Sequence, residues 1–422
     1  MNTKLLNIQA SAPARALGKT SSAHEKQTPG GPKWSSPPSG GLTRSGGSGG
    51  TLGVIVLAAL AMPGVWQPAQ AEAAPEEGVV AVKYLHYQDS QPGLQRIKVD
   101  APSIYLLVPV SQQWAVEGSL VSDSVSGASP RYHTAISGAS KMHEERKAGD
   151  VKVTYYGQRS TLALGLSRSA EHDYVSNALS LDARLSSADN NTTWNVGLGL
   201  ASDRINPVNG LVVDQRKRTS EVIVGVTQAW SAVDLVQLNV SVSRGKGYYD
   251  DPYKTLDLRP DYRNQTALMT RWNHHFTADG STLRSSYRWY HDSNGINSHT
   301  LQAEWVKPLS ANLTLTPVLR YYTQSSASFY FNPVYDTQLG APYPAGYDAA
   351  NPPRYISLDQ RLSAFGAFTL GLKAEYQLNK QWSVDAKWEQ YSQRGDWRIG
   401  GGSPGLAVFN ASTLMLGVSS KF

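Results

Sequence analysis

Cysteine is absent from all 422 residues, which excludes disulfides, thiol nucleophiles and thiolate metal centres. Long apolar runs are equally scarce. Beyond residue 71 none approaches the roughly 20 residues that a membrane-crossing helix needs. Phenylalanine, at 7, is outnumbered by 22 Tyr and 11 Trp, so most aromatics end in a polar group suited to a water–lipid boundary. An excess of positive charge is also missing once the chain is divided. Residues 1–71 carry six of the 39 basic residues and one of the 33 acids, which leaves 33 against 32 in the remainder. A near-neutral body argues against nucleic acid as a partner.

The chain divides near Ala71. Residues 1–50 are polar and rich in Gly, Ser and Pro, a composition that builds no core. Thr51–Val65 is an apolar run, and Ala69-Gln70-Ala71 is an A-x-A cleavage site. Together they read as an extended basic n-region and a secretory signal peptide over residues 1–71, with export of residues 72–422.

From Val79 onward, segments of alternating polarity recur. Trp194, Val196, Leu198 and Leu200 alternate with Asn195, Gly197 and Gly199, and Val236, Leu238, Val240 and Val242 alternate with Gln237, Asn239, Ser241 and Ser243. Period two means strand. About sixteen such segments fit between 79–88 and 410–422, one of them over 361–378. Their junctions read as strictly alternating, tight at sites such as Gln158-Arg159 and Ala278-Asp279-Gly280, and long at 126–148, 204–217, 246–262, 324–360 and 394–409. Segregated turns and loops point to an all-β, up-and-down antiparallel transmembrane barrel in the outer membrane of a Gram-negative bacterium. Outer-membrane lipid and the barrel-assembly machinery are then its partners.

That architecture assigns the side chains. Trp194, Trp230, Trp289, Trp305, Trp382 and Trp388 sit toward strand ends as an aromatic girdle. Charges on the opposite face must line the lumen, because Lys or Arg facing lipid at the midplane costs about 2–4 kcal/mol. They are Asp182, Arg184, Arg271, Arg284, Arg288, Glu304, Arg320, Lys373, Glu375, Asp385, Lys387 and Glu389. The last strand alternates Leu414, Leu416 and Val418 and ends on Phe422, which resembles the assembly signal of outer-membrane barrels, although Ser420 stands where another bulky residue is usual. The 126–148 loop carries Arg131, His133, His143, Glu144 and Arg146, and 324–360 is rich in Pro and Tyr, as a lid or constriction would be. No metal motif or cofactor motif is present: Asp250-Asp251 lacks a calcium-loop pattern, and His274-His275 face opposite ways on a strand.

His291-Asp292-Ser293-Asn294-Gly295 resembles the H-x-S-N-G segment of the outer-membrane phospholipase A family. The resemblance implies a lipid hydrolase with Ser293 as nucleophile and His291 as base. The family's orienting Asn would fall near Trp305, so this is the alternative reading and not the main one.

Three longer stretches are similar to a bacterial family known as domain of unknown function 3570: Val82-Lys83-Tyr84-Leu85-His86-Tyr87-Gln88-Asp89, residues Ser122 to Pro130, and Gly247-Tyr248-Tyr249-Asp250-Asp251-Pro252-Tyr253-Lys254. The family assigns no catalytic residues. The resemblance implies an envelope protein encoded near a small lipoprotein, thioredoxin-like proteins and a flavin transferase, hence periplasmic lipoprotein or redox partners. The sequence thus points to a channel or an envelope scaffold.

Overall fold

The computed structural model describes residues 73–128, 141–254, 256–332, 334–336, 341–344 and 346–422; the signal peptide expected over 1–71 lies outside them. The strands in chain order are β1 (Val79–Gln91), β2 (Leu94–Pro109), β3 (Trp114–Ala128), β4 (Lys141–Tyr156), β5 (Ser160–Ala170), β6 (Tyr174–Ser186) and β7 (Thr192–Ile205). Then follow β8 (Gln215–Ala229), β9 (Asp234–Gly247), the two-residue β10 (Asp257–Leu258), β11 (Tyr262–Phe276), β12 (Ser281–Asp292), β13 (Asn297–Pro308) and β14 (Leu313–Gln324). Short strands β15 (Val334–Asp336), β16 (Ala341–Tyr343) and β17 (Ile356–Ser357) precede β18 (Phe365–Gln377), β19 (Trp382–Arg394) and β20 (Phe409–Lys421).

Sixteen of these close an antiparallel barrel in sequence order, with β10, β15, β16 and β17 outside it. Closure joins β1 to β20 from Val79↔Lys421 to Ser90↔Asn410. The seam extends to the last residue, where the Gly78 and Phe422 amides exchange hydrogen bonds at 2.9 and 3.0 Å. A Cβ on Gly78 would stand 2.5 Å from the Phe422 ring, so glycine is what lets that ring lie over the seam. A closed barrel leaves no unpaired edge, which is the condition for strands to cross a bilayer.

Alternation sorts the wall into two faces. Leu164, Leu181, Leu198, Val222, Val240, Leu319, Leu370 and Leu416 point outward and are exposed, as a lipid-facing band requires. Trp194, Trp305, Trp382 and Trp388 share that face. On β20, Leu414, Leu416 and Val418 point outward with the exposed Phe422, and Ser420 pairs with Trp382, whose indole occupies the neighbouring outward position.

Three expectations are corrected. The links do not alternate strictly in length. The turn-side links are all short, but on the loop side Pro92–Gly93, 171–173 and 293–296 are short too. Pro92 presets its φ and Gly93 takes φ +71°, which closes the β1–β2 hairpin directly. Nearly half of the 126–148 segment is strand, since β3 and β4 pair out to Ala128↔Lys141; residues 129–140 lie outside the described residues. Arg131 and His133 lie outside the described residues. Residues 361–364 are not part of β18 either; Asp359 caps a 3-10 turn there and carries them into the mouth.

Candidate functional site

The barrel's interior has two storeys. In the lower one, toward the short turns, the inward charges meet each other. Arg284 on β12 and Glu304 on β13 are register partners with their charged atoms 3.7 Å apart. Glu304 also accepts from Gln302 Nε2 (2.6 Å), and Gln302 Oε1 accepts from Arg320 Nε (2.7 Å). Glu389 bridges Lys387 (3.2 Å) and Arg320 (3.8 Å), Lys373 meets Glu375 at 2.8 Å, and Asp385 meets Lys83 at 3.5 Å. Arg288 lies 5.1 Å over the Tyr290 ring, and Arg271 faces inward on β11. Asp182 and Arg184 share the inward face of β6 and are only half-buried. So are Glu117 and Lys152, which form an ion pair between β3 and β4.

The upper storey, toward the loops, holds acid–base pairs that sequence reading did not single out. All are almost fully buried, three inside a hairpin end and the fourth at the open end of the β11–β12 pair: Asp89 with Arg96, Asp123 with Arg146, Asp203 with Lys217, and Asp292 with Arg263. Asp123 and Arg146 are direct register partners, as are Asp203 and Lys217. The readable signal was an inward Asp near a strand end facing an inward base on the next strand. Beside them Leu85, Tyr87, Ile97, Val99, Val121 and Phe409 form an apolar cluster inside the wall. An ion pair in such surroundings is costly to desolvate, and among the described residues Arg96 Nε and Nη1 and Asp123 Oδ1 are buried without a hydrogen bond.

Two loops close the mouth. In the β9–β11 link, Asp251 accepts the Tyr253 amide (3.1 Å) and the Lys254 ammonium (2.9 Å), which folds the segment back on itself. β10 then pairs with β17 of the β14–β18 link, Asp257 opposite Ser357. Asp359, only 1% exposed, receives Arg259 Nη2 at 2.8 Å, Lys254 Nζ at 3.1 Å and the Arg361 guanidinium. Arg361 also reaches Asp251 at 3.0 Å, and Arg259 reaches Asp257 at 2.9 Å. Three carboxylates and three cations therefore form one buried, neutral set.

Consecutive residues of this strap bond to opposite sides of the ring. Gln360 accepts from Gln91 at the β1–β2 tip (3.4 Å), while Arg361 bonds Asp251 in the β9–β11 link, half the circumference away. Gln324 Nε2 donates to the carbonyls of Arg361 (3.0 Å) and Ser363 (2.7 Å), and Ser403 accepts the Ala364 amide (2.9 Å). On the far side the Tyr253 hydroxyl donates to Asp173 (3.3 Å) and accepts the Val208 amide (3.1 Å). The loops thus span the mouth from wall to wall. Burial is the largest influence on Asp251 and pushes its carboxyl up, but Lys254 and Arg361 outweigh it and hold the group below the usual carboxylate range. Asp359 is likewise pushed up by burial and brought far down by Arg361, Lys254 and Arg259. At Asp257 burial prevails over Arg259, and the carboxyl is raised.

The His291–Ser293 segment lies elsewhere, on the outward rim. His291 Nδ1–H donates to Asn297 Oδ1 at 3.0 Å, and Asn297 is its register partner. The expected Asn position near Trp305 is therefore wrong by register, since Trp305 pairs with Leu283. Ser293 Oγ, however, accepts the Asn264 amide at 3.0 Å, and His291 and Ser293 share no hydrogen bond among the described residues. The three residues are near neighbours without a nucleophile–base contact.

Three solved structures with similar folds are remote in sequence. The siderophore receptor PirA from Pseudomonas aeruginosa is 8% identical, with 83% of this chain and 81% of that chain covered and a TM-score of 0.41. A Pseudomonas aeruginosa FadL homologue is 12% identical, with 82% and 90% covered and a TM-score of 0.39. Pseudomonas aeruginosa OccK11 (OpdR) is 9% identical, with 85% and 100% covered and a TM-score of 0.42. No curated protein matches the chain. The closed barrel with its lipid-facing band makes this an outer-membrane protein of a Gram-negative bacterium. One family matches along residues 52–141, 138–217 and 211–413, and the chain belongs to it: protein of unknown function (DUF3570).

Proposed function

We propose that the barrel is a channel held shut at its loop-side mouth by its own strap, and that it carries no catalytic step. The observation that supports this most is the wall-to-wall set of Asp251, Lys254, Asp257, Arg259, Asp359 and Arg361 above a lumen whose charges Glu117, Lys152, Asp182 and Arg184 stay partly exposed. Water reaches the lower wall, and the strap separates it from the outside. Mixed-sign, paired charges along that wall favour passage of small polar solutes over strong selection for one sign of ion.

A scaffold is the second reading. It is favoured by the buried set itself, in which Asp251, Asp257 and Asp359 each meet at least one of Lys254, Arg259 and Arg361, as suits a permanent lid. In that case the short turns would present the barrel to periplasmic lipoprotein or redox partners. Conductance in a planar bilayer separates the two. The channel reading expects a silent intact barrel and steady steps after residues 326–362 are replaced by a short Gly-Ser link. Silence from both proteins would sink the channel and leave the scaffold, to be pursued by crosslinking from the 187–191 and 309–312 turns.

A further inference from the structure

The outward face of β7, β8 and β9 changes character along its length. Leu200, Val222, Val224, Val240 and Val242 present an exposed apolar wall. Toward the loops the same face becomes basic, with Arg204 on β7, Arg216 and Arg218 on β8, and Arg244 and Lys246 on β9, all exposed. Register places Arg204 directly opposite Arg216, and Arg218 directly opposite Lys246. Arg244 is the next outward residue to Lys246 on the same strand.

Like charges face to face across a ladder repel. The first pair has its remedy within the chain: Asp214 bonds Arg204 Nε at 2.8 Å and Arg216 Nη2 at 3.3 Å. The second pair has none. Among the described residues, Arg218, Arg244 and Lys246 have no carboxylate partner. Two other outward cations at this end are answered from within the chain, Lys98 by Asp100 at 3.7 Å and Arg168 by Asn177 at 2.9 Å. A strand pairing that sets three uncompensated cations together, beside a pair that does carry its acid, calls for an anion from outside the chain.

The geometry points to a binding site for the phosphorylated headgroup of an outer-leaflet glycolipid, formed by Arg218, Arg244 and Lys246. Depth selects a lipid. Arg244 follows the lipid-facing Val242 by one outward step, about 7 Å along the strand, which is headgroup level. Acyl chains of a bound lipid would lie on Val222, Val240 and Val242, a surface that free phosphate has no use for. Arginine forks fit phosphate in two-point contact, and lysine adds a point charge. Exposed Tyr262, the register partner of Lys246 on β11, supplies the boundary aromatic beside them. The inference rests on the barrel's place in the outer membrane and not on whether the lumen conducts.

Native mass spectrometry of the full-length barrel in neutral detergent tests it. The probes are bis-phosphorylated lipid A, the same lipid without its phosphates, and inorganic phosphate. The wild-type barrel is expected to retain the phosphorylated lipid. The R218Q/R244Q/K246Q variant is expected to bind it about a hundredfold more weakly, and R218K/R244K is expected to fall between the two, because lysine keeps the charge and loses the two-point contact. Equal retention by wild type and the triple variant, or equal retention of the dephosphorylated lipid, overturns the site. Displacement of the lipid by inorganic phosphate at equal concentration also overturns it, in favour of a free-anion site. Should the triple variant fail to fold, Lys246→Gln alone decides: a severalfold loss supports the site, and unchanged binding refutes it.

Discussion

At the loop-side end, Asp89, Asp123, Asp203, Asp292 and Asp359 are at most 2% exposed, and each meets a base. At the turn-side end, Asp189 and Asp279 are exposed and accept backbone amides two residues on, Asn191 at 3.2 Å and Ser281 at 3.0 Å. The same residue type does opposite work at the two ends. In a turn the carboxylate completes a local hydrogen bond that water also offers. Inside the mouth it neutralises a charge that nothing else can reach. Removal of one member of a buried pair leaves the other uncompensated, whereas an exposed pair is largely screened.

The largest break in this contrast is expected at Asp359. Asp359→Ala leaves Arg259, Lys254 and Arg361 facing only Asp251 and Asp257. The loss is expected to be about 3–5 kcal/mol. It should appear as protease cleavage within 348–364 and as conductance without any deletion. A variant that keeps its loops uncut and its bilayer silent would mean that the strap is held by its backbone pairing alone.

Asp123 and Arg146 sharpen the comparison by a cycle. Asp123→Ala should lower unfolding stability by about 3 kcal/mol, because the Arg146 guanidinium stays in the wall without its acid. The double replacement D123L/R146M should recover most of that loss, since apolar side chains of similar size suit the neighbouring Val121 and Ile97. Urea unfolding in detergent reads both. A double variant as weak as the single one would show that the pair has a role other than mutual neutralisation.

Much of this contrast was legible only in part from the chain. Alternation in segments such as Trp194 to Leu200 gave the strand faces, because a two-residue period survives any register. Alternation assigns Arg284 and Glu304 each to the lumen face, but their pairing needs the β12–β13 register, which alternation alone does not give. The strap was not legible. Asp359 finds Lys254 and Arg259 about a hundred residues away through two loops with no period to read. Carrying the alternation of Leu370, Leu372 and Tyr376 backward begins the strand at Arg361, yet the Asp359 carboxylate accepts the Arg361 amide at 3.0 Å and turns the chain first.

Mild acid should leave the strap closed. Asp251 and Asp359 are held below the carboxylate range, so their stabilising contribution is complete above the unfolded value, about 3.9, and is lost only as pH falls through their lower folded values. Asp257 is raised and has the opposite sign: its ionised form is disfavoured in the folded state, and acidification relieves it. Hydrogen exchange at 356–364, corrected for intrinsic rate, is therefore expected to stay flat or slow from pH 7 to about 5 and to accelerate only below about 4. Acceleration already at pH 6 would mean that a group outside these three acids controls the mouth.

The smallest effect is expected at Asp279. Its carboxylate accepts the Ser281 amide and the Lys307 ammonium in the β11–β12 turn, and these contacts draw its pKa below the ordinary range. By direction alone this resembles Asp359, so a ranking by pKa would place the two together. Burial separates them, because Asp279 and Lys307 are both open to water and salt. Asp279→Asn keeps the side-chain oxygen that accepts the Ser281 amide and removes only the charge. Its urea midpoint is expected to coincide with that of the wild type, at low and at high salt. A loss comparable to that of Asp123→Ala would show that charge, and not burial, distinguishes the two ends of the barrel.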